Sequence, residues 1–174
     1  KEERDLAGRY VCPGFIDSHL HLESTLVTPA ELVTVASRHG TTTFIVDPHE
    51  SANVSGLAGI DYILDQTEDV KANVYVMMPS CVPATAIDDN GCTLTAEDMA
   101  PYLHNSRILG LGEVMDSISV VQGEKSMHDK LELFEGRIRD GHAPFLEEGD
   151  LQAYAMAGIA TDHECSFFDY AMRE

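Results

Sequence analysis

The strongest constraint on this chain is a repeated alternation. Short runs rich in β-branched and apolar residues fall at 14–21, 41–46, 73–78, 108–114, 137–141 and 159–162, and stretches of helical spacing separate most of them. Thr28-Pro29-Ala30-Glu31 has the form of a capping box with proline at the first helical position, and Gly40 is placed to stop that helix. A further helix is predicted near 55–66, weakened by Gly56 and Gly59. Thr95-Ala96-Glu97-Asp98 caps a short helix that Pro101 limits, 124–135 and 150–157 carry further helices, and Ser166 is read as the cap of a last one. Strand and helix alternating in this way imply a parallel sheet or barrel.

Length and charge narrow the possibilities. The 174 residues fit one domain. A complete (β/α)8 barrel takes about 250 residues, so the chain is short for one. A formal charge of −19 disfavours nucleic acid and anionic membrane surfaces as partners. The four cysteines, Cys12, Cys81, Cys92 and Cys165, form no Cys-x-x-Cys and no disulfide framework, which fits a reduced, cytoplasmic setting. No apolar run reaches membrane-spanning length and the first ten residues do not read as a signal peptide. The chain does not begin with Met and stops in what reads as a young helix, so both ends read as cut.

Chemistry gathers at the strand ends. His19 and His21 share one face of the first strand, about 6.6 Å apart from two rises of ~3.3 Å, so both imidazoles can reach one metal ion. The later strands end at Asp47/His49, Ser80, Glu113, His142 and His163/Glu164. Glu113 sits among apolar neighbours, where a carboxylate needs a partner, and metal bridging supplies one. His142 and His163, each alone, read as structural, and their weight comes from their place in the series. Asp47 is read either as a site group or as a turn cap, and Glu23 as a helix-start residue or a group near the site. Histidines from the first, fifth and sixth strands with a carboxylate from the fourth make a set for two divalent ions, with Fe, Mn or Zn all open. His39, His104 and His128 are given no site role, and Cys81 is read as a small buried residue.

The stretch Pro13-Gly14-Phe15-Ile16-Asp17-Ser18-His19-Leu20-His21 resembles the first barrel strand of the amidohydrolase superfamily. Together with Leu22-Glu23-Ser24, Asp47-Pro48-His49-Glu50, Ser80-Cys81-Val82-Pro83-Ala84, Gly112-Glu113-Val114-Met115-Asp116, Asp140-Gly141-His142-Ala143-Pro144 and His163-Glu164, it resembles the bacterial adenine deaminases of that superfamily. The resemblance implies a (β/α)8 TIM-type barrel, here incomplete at about six β/α units over residues 11–174. Residues 1–10 would be a linker or the edge of a small β-rich domain. It implies hydrolysis of adenine to hypoxanthine and ammonia by a metal-activated hydroxide, in purine salvage, at a site of two Mn or Fe ions.

By the same likeness His19, His21, Glu113, His142 and His163 bind metal, and Glu164 is the candidate acid/base. Glu23, Asp47, His49 and Ser80 would contact substrate or support the ligands. The family's eighth-strand aspartate has no counterpart in this chain, which therefore reads as the front part of a longer enzyme, able to self-associate through open sheet edges. The rival readings are another amidohydrolase, such as a cyclic amidase or dihydroorotase relative, and a metal-binding fragment without turnover. The single-zinc nucleobase deaminases are set aside, because their Pro-Cys-x-x-Cys is absent.

Overall fold

The computed structural model describes residues 2–85 and 87–173, leaving Lys1, Ala86 and Glu174 outside. Five strands form one sheet: β1 (Phe15–Leu20), β2 (Thr41–Val46), β3 (Asn73–Met78), β4 (Ile108–Val114) and β5 (Ile138–Gly141). They lie in the order β1-β2-β3-β4-β5, every neighbouring pair parallel. An open doubly wound sheet reverses its order at a switch point, and this one does not. A flat sheet would hold β1 and β5 four spacings apart, about 19 Å at ~4.8 Å each. Instead, His19 Nδ1 of β1 lies 3.2 Å from Asp140 Oδ2 of β5. The sheet is therefore curled, and the fold is an incomplete (β/α) barrel.

Eight α-helices join or follow these strands among the described residues: α1 (Pro29–Arg38), α2 (His49–Ser55), α3 (Leu57–Gln66), α4 (Ala96–Met99), α5 (Ser117–Gln122), α6 (Lys125–Leu133), α7 (Glu148–Met156) and α8 (Phe168–Ala171). The Thr28 hydroxyl accepts the Glu31 N–H at the start of α1, and Thr95 makes a full capping box with Asp98 at α4. Phe44, Val46, Val76, Met78, Leu111 and Phe134 anchor a continuous apolar core. No helix among the described residues is long and apolar enough to cross a membrane.

Several expectations are corrected. The helix predicted near 55–66 forms as α3, beginning just after Gly56, whose φ of +62° suits glycine, while α2 before it was not predicted. A side chain at Gly56 would also strike Cys92 Sγ. Helix α5 was not predicted, although Asp116 caps it and Gly123 ends it in the left-handed region. The sixth strand does not form. Residues 159–162 are joined to β5 by an Ala160 N–H to Arg139 C=O bond of 3.2 Å, but Asp162 Oδ1 takes the Ala143 N–H at 2.7 Å and no ladder continues. Ser166 does not cap α8, since its hydroxyl bonds the Glu164 carbonyl.

The burial pattern makes a direct prediction. Leu111 is fully buried in β4, whereas Ile16 on the edge strand β1 is 63% exposed. Leu111→Ala should lower unfolding stability by about 2–5 kcal/mol, and Ile16→Ala by less than ~0.5 kcal/mol, in urea titrations of the chain.

Candidate metal centre

Glu113 lies in β4 with its side chain 3% exposed, and four imidazoles reach its carboxylate. Oε1 is 2.9 Å from His19 Nε2 and 2.8 Å from His21 Nε2. Oε2 is 2.9 Å from His142 Nδ1 and 3.7 Å from His163 Nε2. Each oxygen thus faces its own histidine pair, with nitrogens 3.1 Å apart in the first and 3.3 Å in the second.

The proton positions test whether a cation fits. His21 Nδ1 meets the Asp47 carbonyl at 2.8 Å, and a carbonyl only accepts, so that nitrogen carries a proton. His19 Nδ1 faces the Asp140 carboxylate and donates in the same way. In the neutral rings both Nε2 atoms then present lone pairs to each other and to Glu113 Oε1. Three lone pairs at about 3 Å repel unless positive charge lies among them. The donors therefore fit a metal ion, and without one the rings must hold extra protons. Three sets of donor atoms that can hold an ion share Glu113, two of them the histidine pairs His19/His21/Glu113 and Glu113/His142/His163, with all donors of each set within 4.8 Å. Asp47/His49/Glu113 is the third, and His19/Asp140/His163 forms one more without Glu113.

The sequence matches the Amidohydrolase family over residues 10–174. The chain belongs to that family. Family membership suggests a metal cofactor, which agrees with the donor sets. The chain is 61% identical over 174 residues to an adenine deaminase of Desulfitobacterium hafniense (strain Y51), covering all of this chain and 31% of that protein. It is 47% identical over 166 residues to adenine deaminase 2 of Carboxydothermus hydrogenoformans, covering 95% of this chain and 29% of that protein. With an adenine deaminase of Methanoculleus marisnigri the identity is 50% over 164 residues, 94% of this chain and 31% of that protein. The likeness read from the motifs is borne out, and the chain spans about 30% of the length of these relatives.

In this amidohydrolase the remaining candidates fall in distinct places. Asp47, at the end of β2, caps no turn. Its Oδ2 accepts the Glu113 N–H at 2.8 Å, reaching across the barrel interior. Gly112 permits this, because a Cβ there would stand 2.2 Å from that oxygen. Oδ1 of Asp47 and Nδ1 of His49 are buried without a hydrogen bond, 3.9 Å from each other. Ser80 is buried and donates its hydroxyl to the Glu113 carbonyl. Glu164 Oε1 lies 3.9 Å from His142 Nδ1 and 3.8 Å from His163 Nε2, at the more open side of the cluster. Glu23 accepts the Glu50 and Ser51 N–H groups at 3.1 Å, so its placed oxygen holds the first turn of α2.

Three supporting residues escaped the sequence reading. Asp140 bonds His19, and its i, i+2 spacing from His142 matches that of His19 and His21, a signal that was available. Tyr154 donates to the Val114 carbonyl at 2.6 Å and accepts the His142 N–H at 3.0 Å, tying the His142 loop to β4. Buried Lys130 donates to the Ser80 carbonyl at 2.7 Å. Nothing local in the sequence marks either of the last two.

The electrostatics follow from this packing. Hydrogen bonds to Asp140 and then Glu113 push His19 up to about 10, and the bond to Glu113 pushes His21 up to about 9. Burial works to raise Glu113, but hydrogen bonds from His19 and His21 outweigh it and hold the carboxyl well below the usual range. Burial, then the charge of Glu113, push Asp47 up to about 8. A raised acid favours folding below its unfolded pKa of 3.8, and that contribution fades as pH climbs to about 8. Asp47→Asn should therefore stabilise the chelator-treated chain by about 1–3 kcal/mol at pH 8 and by nothing at pH 3.5. Urea midpoints at the two pH values check this.

Proposed function

We propose that this chain carries most of the metal-binding face of an adenine deaminase, an enzyme converting adenine and water to hypoxanthine and ammonia. The observation that carries the reading is the shared carboxylate: Glu113 turns one oxygen to His19 and His21 and the other toward His142 and His163. That arrangement would let His19, His21, His142, His163 and Glu113 hold two divalent ions. The absence of a thiolate donor and the family likeness favour Mn or Fe, with Zn next. Bound divalent ions would acidify water near neutrality and so furnish the nucleophile.

The chain's own groups do the rest. Tyr154 and Asp162 hold the backbone of the His142 loop, so the second pair keeps its aim. Asp47 and Ser80 fix the N–H and C=O of Glu113 and so hold the backbone from which its carboxylate meets the histidines. Glu164, close to both outer histidines and more exposed than Glu113, would move a proton to the departing amine. His49, whose buried Nδ1 makes no hydrogen bond and lies 3.9 Å from the Asp47 and Glu113 carboxylates, would contact the purine or support the ligands. Residues 11–174 would form the front of the barrel domain, with 1–10 at the edge of a neighbouring β-rich unit. Association with a second copy through the open strand edges, and a cytoplasmic role in purine salvage, complete the reading. Because the chain spans about 30% of its relatives, a metal-binding piece without turnover is the second reading for the chain by itself.

The test uses the chain extended in its own reading frame to the length of those relatives and loaded with Mn(II). Adenine should disappear as hypoxanthine forms, and Glu164→Gln should slow this by about 10²–10⁴-fold while both metals stay bound. Two bound metals with no loss of adenine would reject the substrate and bring cyclic amides forward.

Metal binding should also depend steeply on pH. His19 and His21 hold protons up to about 10 and about 9, and an ion must displace them. Apparent Mn(II) affinity should rise from pH 6.5 to pH 9 with proton release on binding, measured by calorimetry in buffers of different ionisation enthalpy. Binding without proton release would contradict this.

A further inference from the structure

We propose that Asp140 is a positioning residue that fixes which nitrogen of His19 is free to hold a metal ion. The inference rests on the metal reading above and concerns a residue that the reading does not use. Asp140 lies in β5 and His19 in β1, the two edges of the sheet, so their contact exists only because the sheet curls. Asp140 Oδ2 is 3.2 Å from His19 Nδ1. Its other oxygen, Oδ1, accepts the Thr161 hydroxyl at 2.5 Å. An ionised carboxylate only accepts, so His19 must keep a proton on Nδ1. One oxygen thus faces His19 while the other is held by Thr161, so both act as acceptors and the carboxylate is fixed from two sides.

The consequence is set by the other side of the ring. With Nδ1 protonated, the lone pair lies on Nε2, which faces Glu113 Oε1 at 2.9 Å and His21 Nε2 at 3.1 Å. The opposite tautomer would aim an N–H at the place the ion needs. The ring cannot turn freely, since one face stacks on His163 with centroids 3.9 Å apart and planes 28° apart. Thr161 in turn anchors the carboxylate from the segment after α7. That segment forms no ladder strand, and this contact gives it a role at the centre nonetheless. A carboxylate behind a ligating imidazole also raises its basicity, and losing such a partner typically costs 10–100-fold in metal affinity. His19, Asp140 and His163 can also be drawn as a donor set of their own, with His19 binding through Nδ1. The two arrangements differ in one atom, and that atom can be observed.

The experiment measures Zn(II) affinity by chelator competition and the ¹⁵N resonances of His19 in the Zn-loaded chain. The proposal expects metal on Nε2 and a slowly exchanging proton on Nδ1 in the unaltered chain. Asp140→Leu should weaken Zn(II) roughly 10–100-fold and lose the protected proton. Asp140→Asn should lose less, because its carbonyl can still accept from Nδ1. Metal on Nδ1 overturns the proposal, as does Asp140→Leu binding within threefold of the unaltered chain. Equal losses in the Asn and Leu variants also overturn it, since charge alone would then explain them. The ¹⁵N result on the unaltered chain decides even if Asp140→Leu fails to fold. His19→Ala binding Zn(II) as tightly as the unaltered chain would sink the metal reading itself, a separate failure.

Discussion

Everything at the mouth of this half-barrel depends on holding one carboxylate charged and out of water. An ionised group placed so deeply costs several kcal/mol unless it is paired and hydrogen-bonded. Glu113 meets that demand with four imidazoles, and its backbone is held as firmly as its side chain. Asp47 takes its N–H from β2 and Ser80 takes its carbonyl from the loop after β3. Gly112 leaves the space that makes the first of these bonds possible. The same residues that position Glu113 therefore also join β2, β3 and β4 at their C-terminal ends.

Sheet curvature brings the histidines to that carboxylate. The parallel order never reverses, and the curl of the sheet carries β1 to within hydrogen-bond distance of β5. The energetics and the chemistry meet here. The curl buries the core that stabilises the sheet, and it also gathers His19, His21, His142 and His163 around one point. Without an ion, protons on His19 and His21 balance Glu113, so an ion bound there would have to displace them.

Much of this was legible in the sequence, for identifiable reasons. Strand periodicity and capping residues located β1 to β5 and α1, because both signals are local. The His-x-His pair was legible since its spacing encodes a shared face. The sixth strand was misread because 159–162 has strand composition but Asp162 diverts the Ala143 N–H from any ladder. Glu23 was read as a helix-start residue or a group near the site, and the fold turns its Oε1 to the first N–H groups of α2. Tyr154 and Lys130 were invisible because their roles come from contacts many residues away.

The most direct test of the account is electron paramagnetic resonance of the Mn(II)-loaded chain. Two ions bridged by Glu113, about 3.5–4 Å apart, should give an exchange-coupled spectrum at two Mn(II) per chain. Glu113→Gln should abolish the coupling. An uncoupled spectrum at full loading, or coupling that survives Glu113→Gln, would contradict the shared-carboxylate centre.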